Sequence, residues 1–193
     1  TISGTSAAAA DLKAIDAVTS GIITATGVET ITGTLSDVGD VVDVDTDTSN
    51  AGQQIDIDTN FTVTLSDTGN MSASALNTLN GKVPGTLTVT NAVTLTGTAS
   101  AIATAAGADN TGSLALASNF GATVSTGAVN ATDLTTIYGQ TSATIDATGV
   151  TAINGSAADV HTAIDHAQVN HDTNFTVTIS GASAAAADLK AID

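Results

Sequence analysis

The sequence predicts an α/β solenoid with parallel strands, one short helix in each unit of about 30 residues, and a two-unit period of about 60 residues. Three observations carry that expectation. A short marker, Thr-(Ile/Leu)-(Ser/Thr)-(Gly/Asp), recurs along the chain. An apolar pattern at helical spacing follows each marker. A run in which threonine alternates with apolar residues then leads into the next marker.

The marker occurs at 1–4, 30–33, 64–67, 94–97 and 178–181, with degenerate copies at 124–127 and 152–155. Units therefore start at 1, 30, 64, 94, 124, 152 and 178, and residues 1–193 read as a single array. The last sixteen residues, 178–193, repeat residues 1–16 with one change, Thr5 to Ala182. The chain leaves off in the phase in which it began, as a window on a continuing array or a stackable subunit would. Neither end diverges into a polar cap of the kind that terminates closed solenoids.

The helical patterns are Ala9, Leu12, Ile15; Leu35, Val38, Val41; Ala73, Leu76, Leu79; Ala99, Ile102, Ala105; Ala131, Leu134, Ile137; Ala157, Val160, Ile164; and Ala186, Leu189, Ile192. Spacings of three and four place each set on one helix face. Leu12, Val38, Leu76, Ile102, Leu134, Val160 and Leu189 should form one buried column. Thr34, Asn130 and Ser156 stand three residues before Asp37, Asp133 and Asp159, the pattern of an N-cap with an acid in the first turn. Such short helices are marginal alone and need the stack.

The strand runs are thirteen residues long. Segments 21–33, 85–97 and 143–155 align without gaps, as do 55–67 and 169–181. Period-two alternation marks half-buried strands, and a central Thr-Gly or Thr-Asn suggests a bend into two short ones. Phe61, Phe120 and Phe175 all follow an asparagine and all lie in even units, which sets the two-unit period. Strands stack at ~4.8 Å and helices at ~8–10 Å, so one helix per strand requires curvature or two helix environments.

Composition narrows the function classes. Net charge is −16, with Lys13, Lys82 and Lys190 the only cations. Such a chain cannot neutralise phosphates, so nucleic acid is excluded as a partner, and anionic membrane surfaces repel it. No run approaches 18 apolar residues, so no membrane insertion is expected. Cysteine is absent, which removes disulfide and thiol chemistry. No serine or threonine sits in a nucleophile motif and no glycine-rich phosphate loop occurs, so no enzymatic activity is expected.

Two clusters invite chemistry. Asp43, Asp45 and Asp47 alternate in the insertion 43–54, and alternate carboxylates can share Ca²⁺. The EF-hand pattern fails, because Thr48 and Gln54 stand where glycine and glutamate belong. The competing reading is a solvated acidic loop. His161, His166 and His171 are five residues apart, a spacing that does not share one helix face, so surface positions are expected rather than zinc ligands. Thr86, Thr88 and Thr90 alternate on a strand, and such rows can order water, which opens an ice- or surface-binding alternative.

The strings TASA (98–101), SGIITATGVETITGT (20–34) and SAAAADLKAIDA (6–17), with alternating half-units, resemble repeat arrays in very large cell-surface proteins of marine cyanobacteria, of the swimming-associated Synechococcus type, and repeats of marine phage fibres. The resemblance covers the whole chain. It implies an extracellular, non-enzymatic role as a structural repeat of a surface fibre, filament or array, with the chain itself as partner, head to tail or within a longer polypeptide. It brings no catalytic residues. A calcium-stabilised adhesin or binding module on the same scaffold is the alternative. The acidic insertion and the histidine-bearing sixth unit depart from the pattern.

Overall fold

A computed structural model describes residues 1–46, 55–181 and 183–193. It is an α/β fold in which every paired strand runs parallel to its neighbour. The described residues form, in order, β1 (Ser6–Ala8), α1 (Ala9–Asp16), β2 (Ile23–Ala25), β3 (Thr30–Gly33), α2 (Leu35–Thr46), β4 (Ile55–Ile57) and β5 (Thr62–Leu65). There follow β6 (Gly69–Ser72), α3 (Ala73–Asn80), β7 (Leu87–Val89), β8 (Val93–Gly97), α4 (Ala99–Thr111), β9 (Leu114–Ala115) and β10 (Gly121–Val124). The last set is β11 (Gly127–Asn130), α5 (Ala131–Tyr138), β12 (Ile145–Ala147), β13 (Val150–Gly155), α6 (Ala157–Asp165), β14 (Val169–His171), β15 (Thr176–Ile179) and α7 (Ala186–Ile192).

The order strand–helix–strand–strand–helix–strand–strand thus occurs three times, and the two-unit period is a period of elements. Each thirteen-residue run bends into two short strands, as its alternation predicts. The Asn-Phe pairs mark something the alternation does not reveal. Phe61, Phe120 and Phe175 each stand immediately before β5, β10 or β15, the strands that lead into no helix. Phe61 and Phe120 are buried there, while Phe175 is half-buried.

Strand pairing follows the same rule. One sheet has the order β1-β3-β5-β7-β9 and a second β6-β8-β10-β12-β14. In each, two strands that enter helices come first, then the helix-free strand, then two strands that leave helices. The remaining sheets are β11-β13-β15 and β2-β4. In-register apolar rows fill the interior: Ala7, Ile31, Val63, Leu87 and Leu114 in the first sheet, and Met71, Leu95, Ala122, Ile145 and Val169 in the second.

Each helix packs against the next, from α1 to α7. The helix-free strand adds one step of ~4.8 Å per helix pair, which eases the mismatch between strand and helix spacing. Small side chains do the rest: buried Ala99, Ala103, Ala105 and Ala106 line α4. Gly33, at φ +155°, ends β3 where a Cβ would lie 3.2 Å from the Ala9 Cβ. At Gly85 a Cβ would meet the Phe61 carbonyl oxygen at 2.8 Å, so only glycine fits.

Six members of the predicted helix column are sealed: Leu12, Val38, Leu76, Ile102, Leu134 and Val160 are at most 1% exposed. The seventh is not; Leu189 is 45% exposed and α7 buries no residue. No described element packs on the far side of α7. The cap expectations need one correction. The Thr34 and Ser156 hydroxyls accept from the Asp37 and Asp159 backbone N–H groups, both at 3.1 Å, but Asn130 reaches only the Asp133 carboxylate, at 3.4 Å. Ser72 and Thr98 cap α3 and α4 instead, accepting from Ala75 and Ala101. The acidic insertion also begins later than its composition suggests, because α2 runs on to Thr46.

Candidate functional site

Polar contacts join neighbouring helices, and one position recurs in them. The residue after the buried column reaches across to the N-terminal half of the next helix. Lys13 of α1 donates to Asp37 and Asp40 of α2, both at 2.7 Å. Asn77 of α3 donates to the Ala101 carbonyl of α4 at 2.8 Å. His161 Nδ1 of α6 lies 2.9 Å from Asp188 of α7. Hydrogen bonding to Asp37 and then Asp40 raises the Lys13 ammonium above the ordinary lysine range. The Lys13 bond, followed by that from Thr34, holds Asp37 below the ordinary carboxylate range. The matching lysine of α7, Lys190, is exposed.

The proposed calcium ligands fall in three different situations. Asp43 lies in the last turns of α2 and pairs with Lys82 beyond α3. Asp45 lies in the same helix, and Asp47 lies outside the described residues. Among the described residues no three metal-binding side chains gather.

The histidines go three ways. His161 joins α6 to α7. His166 stacks on Tyr138 with ring centroids 3.8 Å apart and planes at 11°. His171 lies 3.0 Å from the Ile164 carbonyl and 2.8 Å from that of Asp172, and it meets Phe175 edge-on. Each ring ties α6 or β14 to a neighbour, and the three do not converge.

Open clefts among the described residues include these three. One of about 310 Å³ lies between α2 and α3, lined by Leu35, Gly39, Asp43, Leu79 and Lys82. One of about 410 Å³ is lined by Glu29, Asp58, Asn60 and Thr62. The third, about 250 Å³, is lined by His161, Thr162, Asp165 and His166; the Thr162 hydroxyl there donates back to the Ala158 carbonyl at 2.7 Å.

Threonine has a role that sequence reading missed. Its hydroxyls form rungs between successive layers. Thr62 donates to the Glu29 carbonyl at 3.1 Å, Thr90 to Leu65 at 2.9 Å, Thr96 to Met71 at 3.3 Å, Thr176 to Thr151 at 3.4 Å and Thr141 to Phe120. Two of the three threonines in the water-ordering row, Thr86 and Thr90, spend their hydroxyls on backbone carbonyls. The signal was present in the strand runs, since many rungs join residues 25 apart in sequence.

What the fold leaves open lies at its two ends. The exposed large apolar side chains among the described residues are Ile15, Val18, Ile22 and Leu189. The first three belong to the first unit and the last to the seventh. The same ends carry the incomplete sheets: β2-β4 near the start and β11-β13-β15 near the finish. The other large apolar side chains among the described residues are buried or half-buried. No helix is long and apolar enough to cross a membrane. No protein-family model, no curated protein and no solved structure matches this chain.

Proposed function

We propose that this chain is a structural repeat segment, an α/β solenoid that forms or extends a fibre on the outside of a cell or virion. Its partner is more of itself, joined head to tail or continuing within a longer polypeptide. The observation that carries the reading is that, among the described residues, exposed large apolar side chains are confined to the first and last units. A ligand-binding module would concentrate such surface along a flank or in a cleft. Here each of the described clefts is lined in part by charged groups and none by Phe or Tyr, and threonine hydroxyls along the strands serve the stack itself.

Head-to-tail contacts between unlike ends do not close, so they generate filaments. The charge of −16 keeps the flanks apart and the filaments dispersed. It also opposes end-to-end approach at low ionic strength, so added salt promotes assembly. Electron microscopy of the purified chain across a salt series tests the reading. Rods that lengthen with concentration and salt are expected. Compact single particles under every condition would overturn it. Surface labelling of intact cells or virions with an antibody to the chain tests the location.

A further inference from the structure

The two incomplete sheets are complementary. Each interior sheet has five strands: two that enter helices, one helix-free strand, and two that leave helices. The sheet β11-β13-β15 contains the first three of these, and β2-β4 contains the last two. We infer that a second copy of this chain docks with its β2-β4 pair on the free edge of β15, completing a five-stranded sheet of order β11-β13-β15-β2-β4. The inference rests on the end-to-end reading above and specifies its seam.

Interior junctions fix the register. Where β5 meets β7, Val63, Thr64 and Leu65 lie opposite Leu87, Thr88 and Val89. Where β10 meets β12, Ala122 and Thr123 lie opposite Ile145 and Asp146. β15 reads Thr-Val-Thr-Ile as β5 reads Thr-Val-Thr-Leu, and β2 reads Ile-Thr-Ala where β7 reads Leu-Thr-Val. Val177 therefore lies opposite Ile23 of the second copy, and Thr176 opposite its Ile22, which is 62% exposed in the single chain. Part of this junction already exists: the Ile2 N–H donates to the Thr24 carbonyl at 2.7 Å, holding for residues 1–2 the place that the end of β15 would take.

The helices fit the same seam. Residues 1–16 and 178–193 are two copies of one motif, and each makes half of its contacts. α1 makes the forward half, Lys13 to Asp37 and Asp40, while Asp11 is exposed. α7 makes the backward half, Asp188 to His161, while Lys190 is exposed. One copy held between α6 of one molecule and α2 of the next makes both. At the helix the copy that yields is α7, which buries nothing, and at the strand residues 1–2 of the incoming molecule give way to β15. Asp11 of the incoming molecule then takes the place of Asp188 beside His161.

The test uses the 193-residue chain, which contains no cysteine. Thr176→Cys in one preparation and Ile22→Cys in another place a thiol on each side of the seam at strand spacing, within disulfide reach. Both positions are exposed, so both variants keep the core. After mixing and mild oxidation, intact mass should show a disulfide-linked pair. Its yield should exceed that of Thr176→Cys mixed with Ser74→Cys, an exposed control on α3, by roughly tenfold. Leu189→Pro in the Thr176→Cys chain unravels α7 and should raise the yield further. Asp11→Lys in the Ile22→Cys chain should lower it by about threefold, and His161→Asp in its partner should restore it. A yield no higher than the control overturns the seam. If rods still form in that case, the fibre reading stands and the contact lies elsewhere; if neither cross-link nor rods form, both readings fall.

Discussion

Residues 1–16 and 178–193 share fifteen of sixteen residues, yet they have different surroundings. Leu12 is 1% exposed and Leu189 is 45% exposed. Lys13 bridges to two aspartates, and Lys190 faces solvent. Both copies form a helix, and each has one neighbouring helix packed against it, so one neighbour suffices for the helix. Burial and charge pairing come from the unit that follows, through Asp37, Val38, Asp40 and Val41. A unit of this fold is therefore completed by its successor, as expected where stability resides in interfaces between repeats.

Paired substitutions sharpen that contrast. The largest difference should come from the buried column. Leu12→Ala should cost about 2–5 kcal/mol, by loss of burial and creation of a cavity. Leu189→Ala should cost less than about 0.5 kcal/mol. Urea unfolding of the two variants measures both, and equal losses would break the comparison.

Glycine gives the next difference. Gly33→Ala forces a Cβ into a left-handed backbone position against Ala9 and should cost about 1–3 kcal/mol. Gly4→Ala faces the same kind of backbone strain with only the Ser6 carbonyl, 3.9 Å away, in front of it. It should cost about 1 kcal/mol. Thermal unfolding of the two variants ranks them, and the opposite order would contradict the close approach of Gly33 to the preceding helix.

The lysines give the smallest effect and the one with a pH signature. Lys13→Met should lower the melting temperature slightly at neutral pH, and Lys190→Met should not. Asp37 has its carboxyl held below the ordinary range, so the stability it contributes is present at neutral pH and fades as pH falls through that lowered value. Lys13 is raised, so its share persists until pH climbs through the raised lysine value. The gap between Lys13→Met and the parent should close in strong acid. A gap that stays constant into acid would show that Lys13 acts by packing its stem rather than by charge.

The strands and helices were legible because each had a period: two in GTLTVTNAVTLTG, three and four in Ala157, Val160 and Ile164. The elements that escaped have none. β6 and β11 each bury one apolar side chain, Met71 and Val129, which is too little for alternation to register. β1 is drawn from an alanine run that reads as helix throughout. The Phe residues flagged the even units, but nothing local says that the strand they introduce lacks a helix; that follows from pairing across more than twenty residues. The extension of α2 was hidden by Asp43 and Asp45, which suggest a loop by composition, whereas Val41, Val42 and Val44 continue the helix against the core. Inter-helix contacts such as Lys13 with Asp37 join residues 24 apart, and neither residue type announces the other.

Residue-resolved hydrogen exchange on the unmodified chain tests the central claim most directly, because it compares the two copies inside one molecule. Amides of α1, from Leu12 to Asp16, should be protected to a large fraction of the global unfolding free energy, and those of α7, from Leu189 to Ile192, should exchange with little protection. Equal protection of the two helices in the dilute chain would contradict the claim that each unit is completed by the one that follows.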